Sequence, residues 1–97
     1  MDIVFVEYKV FPEKRDAYLR WIGAAARADN RFELYEGSEQ PDLFVELWRG
    51  MDDERYRSFK RERLEPGDPS WGALAEFVPG GLAKVHVWHF RRTEPAG

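Results

Sequence analysis

Hydrophobic and polar positions alternate or repeat in seven successive blocks along the chain. Residues 2–11 alternate with a period of two, so they predict a strand. Val4, Val6, Tyr8 and Val10 lie on one side, and Ile3, Phe5, Glu7 and Lys9 on the other. Pro12 closes that block, and Pro12-Glu13-Lys14-Arg15-Asp16 opens a helix, with proline tolerated in the first turn and acids near the positive end of the dipole. Tyr18, Trp21, Ile22 and Ala25 stand at i, i+3, i+4 and i+7, the buried stripe of an amphipathic helix. Asp29-Asn30 is its expected stop.

Residues 31–36 and 43–49 alternate again, and the cluster Gly37-Ser38-Glu39-Gln40-Pro41-Asp42 between them predicts a hairpin with a longish loop. In the second of these strands Leu43, Val45 and Leu47 point one way, and Phe44, Glu46 and Trp48 the other. Acids at Asp52, Asp53 and Glu54 start a second helix that runs to about Leu64. Its apolar stripe is thin, and the stems of Arg55, Lys60 and Arg63 are expected to complete it. Pro66-Gly67-Asp68-Pro69 breaks the helix, and Asp68 as cap launches a short third helix through Phe77. After Pro79-Gly80-Gly81, residues 82–92 form the last strand. Val85, Val87 and His89 oppose Lys84, His86, Trp88 and Phe90 on it.

The order is β-α-β-β-α-(short α)-β, the split βαβ arrangement of an α+β, ferredoxin-like fold. It implies a four-stranded antiparallel sheet with two main helices on one face, plus a short helix before the last strand. A length of 97 residues fits one domain, taken as residues 1–93 with a frayed tail at 94–97.

Helices cover one face of such a sheet. The aliphatic set Val4, Val6, Leu43, Val45, Leu47, Val85 and Val87 is assigned to that covered face. The other face then carries Phe5, Tyr35, Phe44, Trp48, Trp88 and Phe90 together with Glu7, Glu46 and His86. Aromatics make up 15% of the chain, and a patch this large is seldom left in water by a monomer. A second subunit is expected to cover it.

This order at about one hundred residues resembles the dimeric α/β-barrel proteins. Leu43-Phe44-Val45-Glu46-Leu47-Trp48 followed by Met51-Asp52-Asp53-Glu54 resembles the strand-into-helix segment of the antibiotic-biosynthesis-monooxygenase-like (ABM) branch. That branch holds cofactor-free quinone-forming monooxygenases, haem-degrading enzymes and small proteins without an assigned activity. The resemblance implies a homodimer packed through its sheet faces, with an aromatic-lined pocket between sheet and helices in each protomer. Haem-degrading members take an axial histidine from the second helix. Residues 51–65 contain none, and Asn30 is the sole asparagine, so an Asn-Trp-His haem constellation cannot be assembled.

The candidate chemistry follows from the face assignment. Glu46 and His86 are the expected catalytic pair, because burial and mutual charge can bring such groups towards neutrality. The competing reading pairs Glu46 and Glu7 with Arg or Lys in ordinary ion pairs. Phe44, Trp48, Trp88 and Phe90 are the expected ligand-binding residues, through stacking on a small planar hydrophobic molecule or through packing at the subunit interface. His89 points away from His86, so the two cannot share an ion, and His89 reads as a structural residue with no second ligand nearby. No metal and no cofactor are expected.

Composition removes other classes. A net charge of −3 and the absence of a Gly-aromatic-Gly/Ala signature in 42–47 argue against nucleic-acid binding. The basic, aromatic-interleaved run 55–63 is offset by neighbouring acids and reads as a solvated face. There is no cysteine, hence no disulfide framework and no thiol nucleophile. No nucleophile elbow, phosphate loop or dinucleotide fingerprint occurs. No apolar run reaches bilayer length and Met1-Asp2-Ile3-Val4 is unlike a signal peptide, so no membrane contact and a cytoplasmic location are expected. Two functions stand. One is a ligand-binding barrel protein with cofactor-independent monooxygenase-like chemistry. The other is a non-catalytic ligand-sensing or stress-associated barrel protein.

Overall fold

The computed structural model describes residues 2–27 and 31–96. β1 spans Asp2–Lys9, α1 Arg15–Ala26, β2 Phe32–Glu36, β3 Leu43–Arg49, α2 Asp53–Arg63 and β4 His86–Arg91. The expected end of α1 at Asp29-Asn30 lies outside the described residues. Single 3-10 turns occur at Pro12–Lys14, Gly72–Glu76 and Gly81–Lys84.

The strands lie in the order β2-β3-β1-β4, and every neighbouring pair is antiparallel. The four strands and two helices form the expected α+β ferredoxin-like arrangement. Among the described residues, no helix is long and apolar enough to cross a membrane.

Local chemistry accounts for the boundaries. The Asp52 carboxylate accepts the Arg55 backbone N–H at 2.7 Å, which caps α2, and Asp53 and Glu54 add negative charge to its first turn. Asp68 accepts the N–H groups of Ser70 and Trp71 at 3.0 and 2.8 Å. That turn leads into a short 3-10 segment rather than the expected α-helix. The last strand is shorter than 82–92. Gly80 and Gly81 both have positive φ, +87° and +69°, and the chain makes a 3-10 turn there before it extends.

The face assignment of β3 is corrected. Val6 stands opposite Glu46, Val4 opposite Trp48 and Tyr8 opposite Phe44. Directly opposed residues share a face. Val4, Val6 and Tyr8 are buried under the helices, so Phe44, Glu46 and Trp48 go in with them. Leu43, Val45 and Leu47 therefore lie on the open face. The aliphatic alternate looked more core-like than a set containing Glu, but Glu46 is fully buried. Its charge is met from α2, as described next.

Candidate functional site

The layer between sheet and helices contains a closed polar cluster. Arg63, on the last turn of α2, donates from its two terminal nitrogens to Glu46 Oε1 at 2.6 Å and Oε2 at 2.7 Å. The fork of the guanidinium matches the carboxylate plane. Trp48 Nε1 donates to Oε1 at 2.9 Å, and the Tyr8 hydroxyl donates to Oε2 at 2.5 Å. Glu46 thus accepts four hydrogen bonds, the full capacity of a carboxylate. The Tyr18 hydroxyl lies 2.6 Å from that of Tyr8 and extends the chain of contacts to α1.

Solvent does not reach this cluster: both Glu46 and Arg63 are 0% exposed. Burial works against the charge on Arg63, yet Glu46 beside it prevails and holds the guanidinium protonated above its ordinary range. Burial pushes the Tyr8 hydroxyl well above the usual phenol range, helped by the negative charge of Glu46. Burial likewise raises Tyr18. Both tyrosines stay neutral donors. Among the buried side-chain atoms of the described residues, Arg63 Nε alone finds no hydrogen-bond partner.

Aromatic rings wall the cluster. The Arg63 guanidinium lies 4.0 Å from the Trp71 ring centre and 5.3 Å from that of Phe59. Trp71 meets Trp21 edge-to-face at 5.7 Å and Trp48 at 5.9 Å. Outside this wall, a depression of about 420 Å³ is bounded by Trp21, Ala24, Ala25, Ser70 and Trp71.

The open sheet face is different in kind. Trp88 and Phe90 are about half exposed, at 51% and 48%, and so is Tyr35. Phe5, Glu7, Val45, Trp88 and Phe90 line a shallow apolar hollow of about 480 Å³. Phe5 and Phe90 pack edge-to-face at 5.4 Å, and His86 stacks near Trp88 at 6.2 Å. His86 stands opposite Glu7 in the β1–β4 ladder.

The sequence-predicted residues therefore divide between two faces. Phe44, Glu46 and Trp48 lie in the helix-covered layer; His86, Trp88 and Phe90 lie on the open face. The premise of a Glu46–His86 proton-transfer pair on a single face is corrected, because the sheet itself separates the two side chains. Trp48 and Trp88 cannot sandwich one ligand for the same reason. Sequence reading placed the Arg63 stem, Tyr8 and Tyr18 on covered faces and offered Glu46 an Arg or Lys partner, but it missed that Arg63 is that partner and that Tyr8, Tyr18 and Trp71 join it in one cluster. Arg63 stands one helical turn after Phe59 on the buried stripe, the spacing that marks it as inward-facing.

No family model and no curated protein matches the chain. Solved structures do. A conserved protein from Methanosarcina mazei Go1 superimposes with a TM-score of 0.72 at 14% identity, over 95% of this chain and 92% of that one. An antibiotic biosynthesis monooxygenase structure gives a TM-score of 0.68 at 13% identity, over 97% of this chain and all of the other. A candidate antibiotic biosynthesis monooxygenase from Deinococcus radiodurans gives 0.67 at 15% identity, over 100% and 97%. The fold is ABM-like.

Within this ABM-like fold, the space between sheet and helices is filled from within by Arg63, Glu46 and the two tyrosines. The rings of Trp21 and Trp71 stand at the margin of that space.

Proposed function

We propose that the chain works as a homodimeric α/β-barrel protein that binds a small, planar hydrophobic molecule between sheet and helices. The observation that carries this reading is the position of Trp71. One side of its indole rests on buried Arg63, its neighbours are Trp21 and Trp48, and it borders an outward-opening depression. A flat ring entering there meets two indoles and, behind them, a fixed polar floor. Flat aromatic surfaces give large contact area at small entropic cost.

The dimer part of the reading is supported by the open face. Trp88, Phe90 and Tyr35 are half exposed around an apolar hollow, a surface that a monomer seldom leaves in water. A second copy would bring the same rings against it in an isologous contact. His86 and Glu7 then serve that contact. A cytoplasmic setting is part of the same proposal, and a cysteine-free chain is compatible with it.

Binding without catalysis at Glu46 is favoured, because a carboxylate with four donors in place has no lone pair left for a substrate proton. A second reading, monooxygenase chemistry, is favoured by the likeness of fold to structures described as antibiotic biosynthesis monooxygenases. Under that reading a substrate hydroxyl takes the place of Tyr8 on Glu46, and His86 has no part in the step.

Tryptophan fluorescence is the test. Titration with a naphthoquinone, a flavin and haem is expected to show saturable quenching by at least one of them. Trp71→Ala is expected to weaken it about tenfold, the loss of one stacking contact. Absence of saturable quenching by all three defeats the ligand reading. Oxygen uptake with a hydroquinone, abolished in Glu46→Gln at a temperature where circular dichroism shows that variant still folded, would replace binding by the monooxygenase reading.

A further inference from the structure

Outside the residues of both sites discussed so far, three potential metal ligands meet at the rim of the sheet. Asp2 begins β1, His89 lies in β4 and Asp53 is the first residue of α2. His89 Nε2 is 2.9 Å from Asp2 Oδ2, and His89 Nδ1 is 3.8 Å from Asp53 Oδ1. One ligand atom from each of the three residues lies within 4.8 Å of the others. The sequence expectation that His89 has no second ligand near it is corrected by this geometry.

From this arrangement we infer a divalent-cation site formed by Asp2, Asp53 and His89, suited to Zn²⁺. One imidazole nitrogen and two carboxylate oxygens are a ligand set that zinc accepts, at bond lengths of about 2.0–2.2 Å. Ligand atoms around such an ion stand about 3.3 Å apart in tetrahedral geometry. One ion takes one ring nitrogen: with Nε2 as that ligand the Asp2–His89 edge is already near that spacing, and Asp53, which faces Nδ1 and lies within 4.8 Å, comes round to the ion by rotation of its exposed side chain. Three protein ligands leave the fourth position to water or to a small anion.

Two features prepare the site. Tyr56 lies over the imidazole of His89, with ring centres 4.5 Å apart and planes 30° apart, which holds the ring in place. The His89 and Asp2 side chains are mostly sheltered, at 11% and 22% exposure, while Asp53 stands open to solvent and gives an ion its way in. One cation opposes the site: Arg91 contacts both oxygens of Asp53 at 3.2 and 3.3 Å. That pair is exposed and worth little, so a divalent ion displaces it. The site lies on the helix-covered side of the sheet, opposite the face of the proposed dimer, and it shares no residue with the depression bounded by Trp21, Ala24, Ala25, Ser70 and Trp71.

Isothermal titration of ZnCl₂ into the chelator-treated full chain tests the inference. One ion per chain is expected, with an accompanying rise in melting temperature. His89→Gln and Asp53→Ala are each expected to weaken binding at least about tenfold, as loss of a direct ligand should exceed the 10–100-fold reported for outer-shell partners at its lower end. His86→Gln, which alters the histidine on the other face, is expected to bind as the unaltered chain does. Asp53 is exposed, so its variant carries the test if His89→Gln does not fold. No saturable binding by the full chain overturns the inference. So does binding retained in Asp53→Ala, or binding lost in His86→Gln.

Discussion

Arg63 and Glu46 face one another through two parallel hydrogen bonds of 2.6 and 2.7 Å, with neither side chain reached by solvent. A buried pair of this kind costs desolvation and returns it through geometry. Breaking it from one side leaves an uncompensated charge. Arg63→Met and Glu46→Gln are therefore each expected to destabilise the fold by about 3–5 kcal/mol. The double change Arg63→Met with Glu46→Leu is expected to recover a large part of that loss. Urea denaturation of the three variants checks both statements, and a double variant no better than the singles would contradict them.

The buried tyrosines give the fold an alkaline limit. Tyr8 and Tyr18 are both raised, chiefly by burial. In the unfolded chain they ionise near the ordinary value of about 10. The folded state retains their protons beyond that point, so their stabilisation is complete below about pH 10 and is lost as pH rises towards their folded values. Melting temperature is expected to fall steeply above about pH 10, and Tyr18→Phe to flatten the slope. A slope unchanged in Tyr18→Phe would assign the alkaline transition to other groups.

On the acid side the sign reverses. Glu36 is held low by its hydrogen bond from Arg15 and by the Asp42 backbone N–H. Its contribution is present above the ordinary carboxylate value and is lost as pH falls through the lowered one. Asp42, at φ +70°, closes the β2–β3 loop against this carboxylate. Glu36→Gln is expected to move the foot of the acid transition to higher pH and to raise amide exchange at Asp42.

Self-association is expected to depend on the open face. Light scattering should report about twice 11.4 kDa for the unaltered chain. Trp88→Glu places a charge among apolar rings and is expected to give monomers with an unchanged far-ultraviolet spectrum. An unaltered chain that is monomeric at micromolar concentration would defeat the dimer proposal.

Much of the fold was legible because alternation in β1, β3 and β4 and the Tyr18-Trp21-Ile22 stripe each admit one element type. The order of elements then limits the topology to few choices. The site was only half legible. Period-two alternation states that Glu46 and Trp48 share a side with Phe44, but not which side is covered. Aliphatic content pointed to Leu43, Val45 and Leu47, and that preference failed because a cation from a helix 17 positions away makes Glu46 a core residue. Pairings of this sort leave no local trace. The Asp2–His89 contact, 87 positions apart, is a further case.

The placement of β1 between β3 and β4 also sets an order of events during folding. β1 hydrogen-bonds to Leu43–Arg49 on one side and to His86–Arg91 on the other. While a nascent chain still lacks its last strand, the far edge of β1, with Val4 and Val6 along it, is a row of unpaired peptide groups. Such an edge recruits strands from other molecules. Slow emergence of residues 86–91 should then lengthen the interval in which the chain is prone to aggregate, and β4 acts as the closure that ends it.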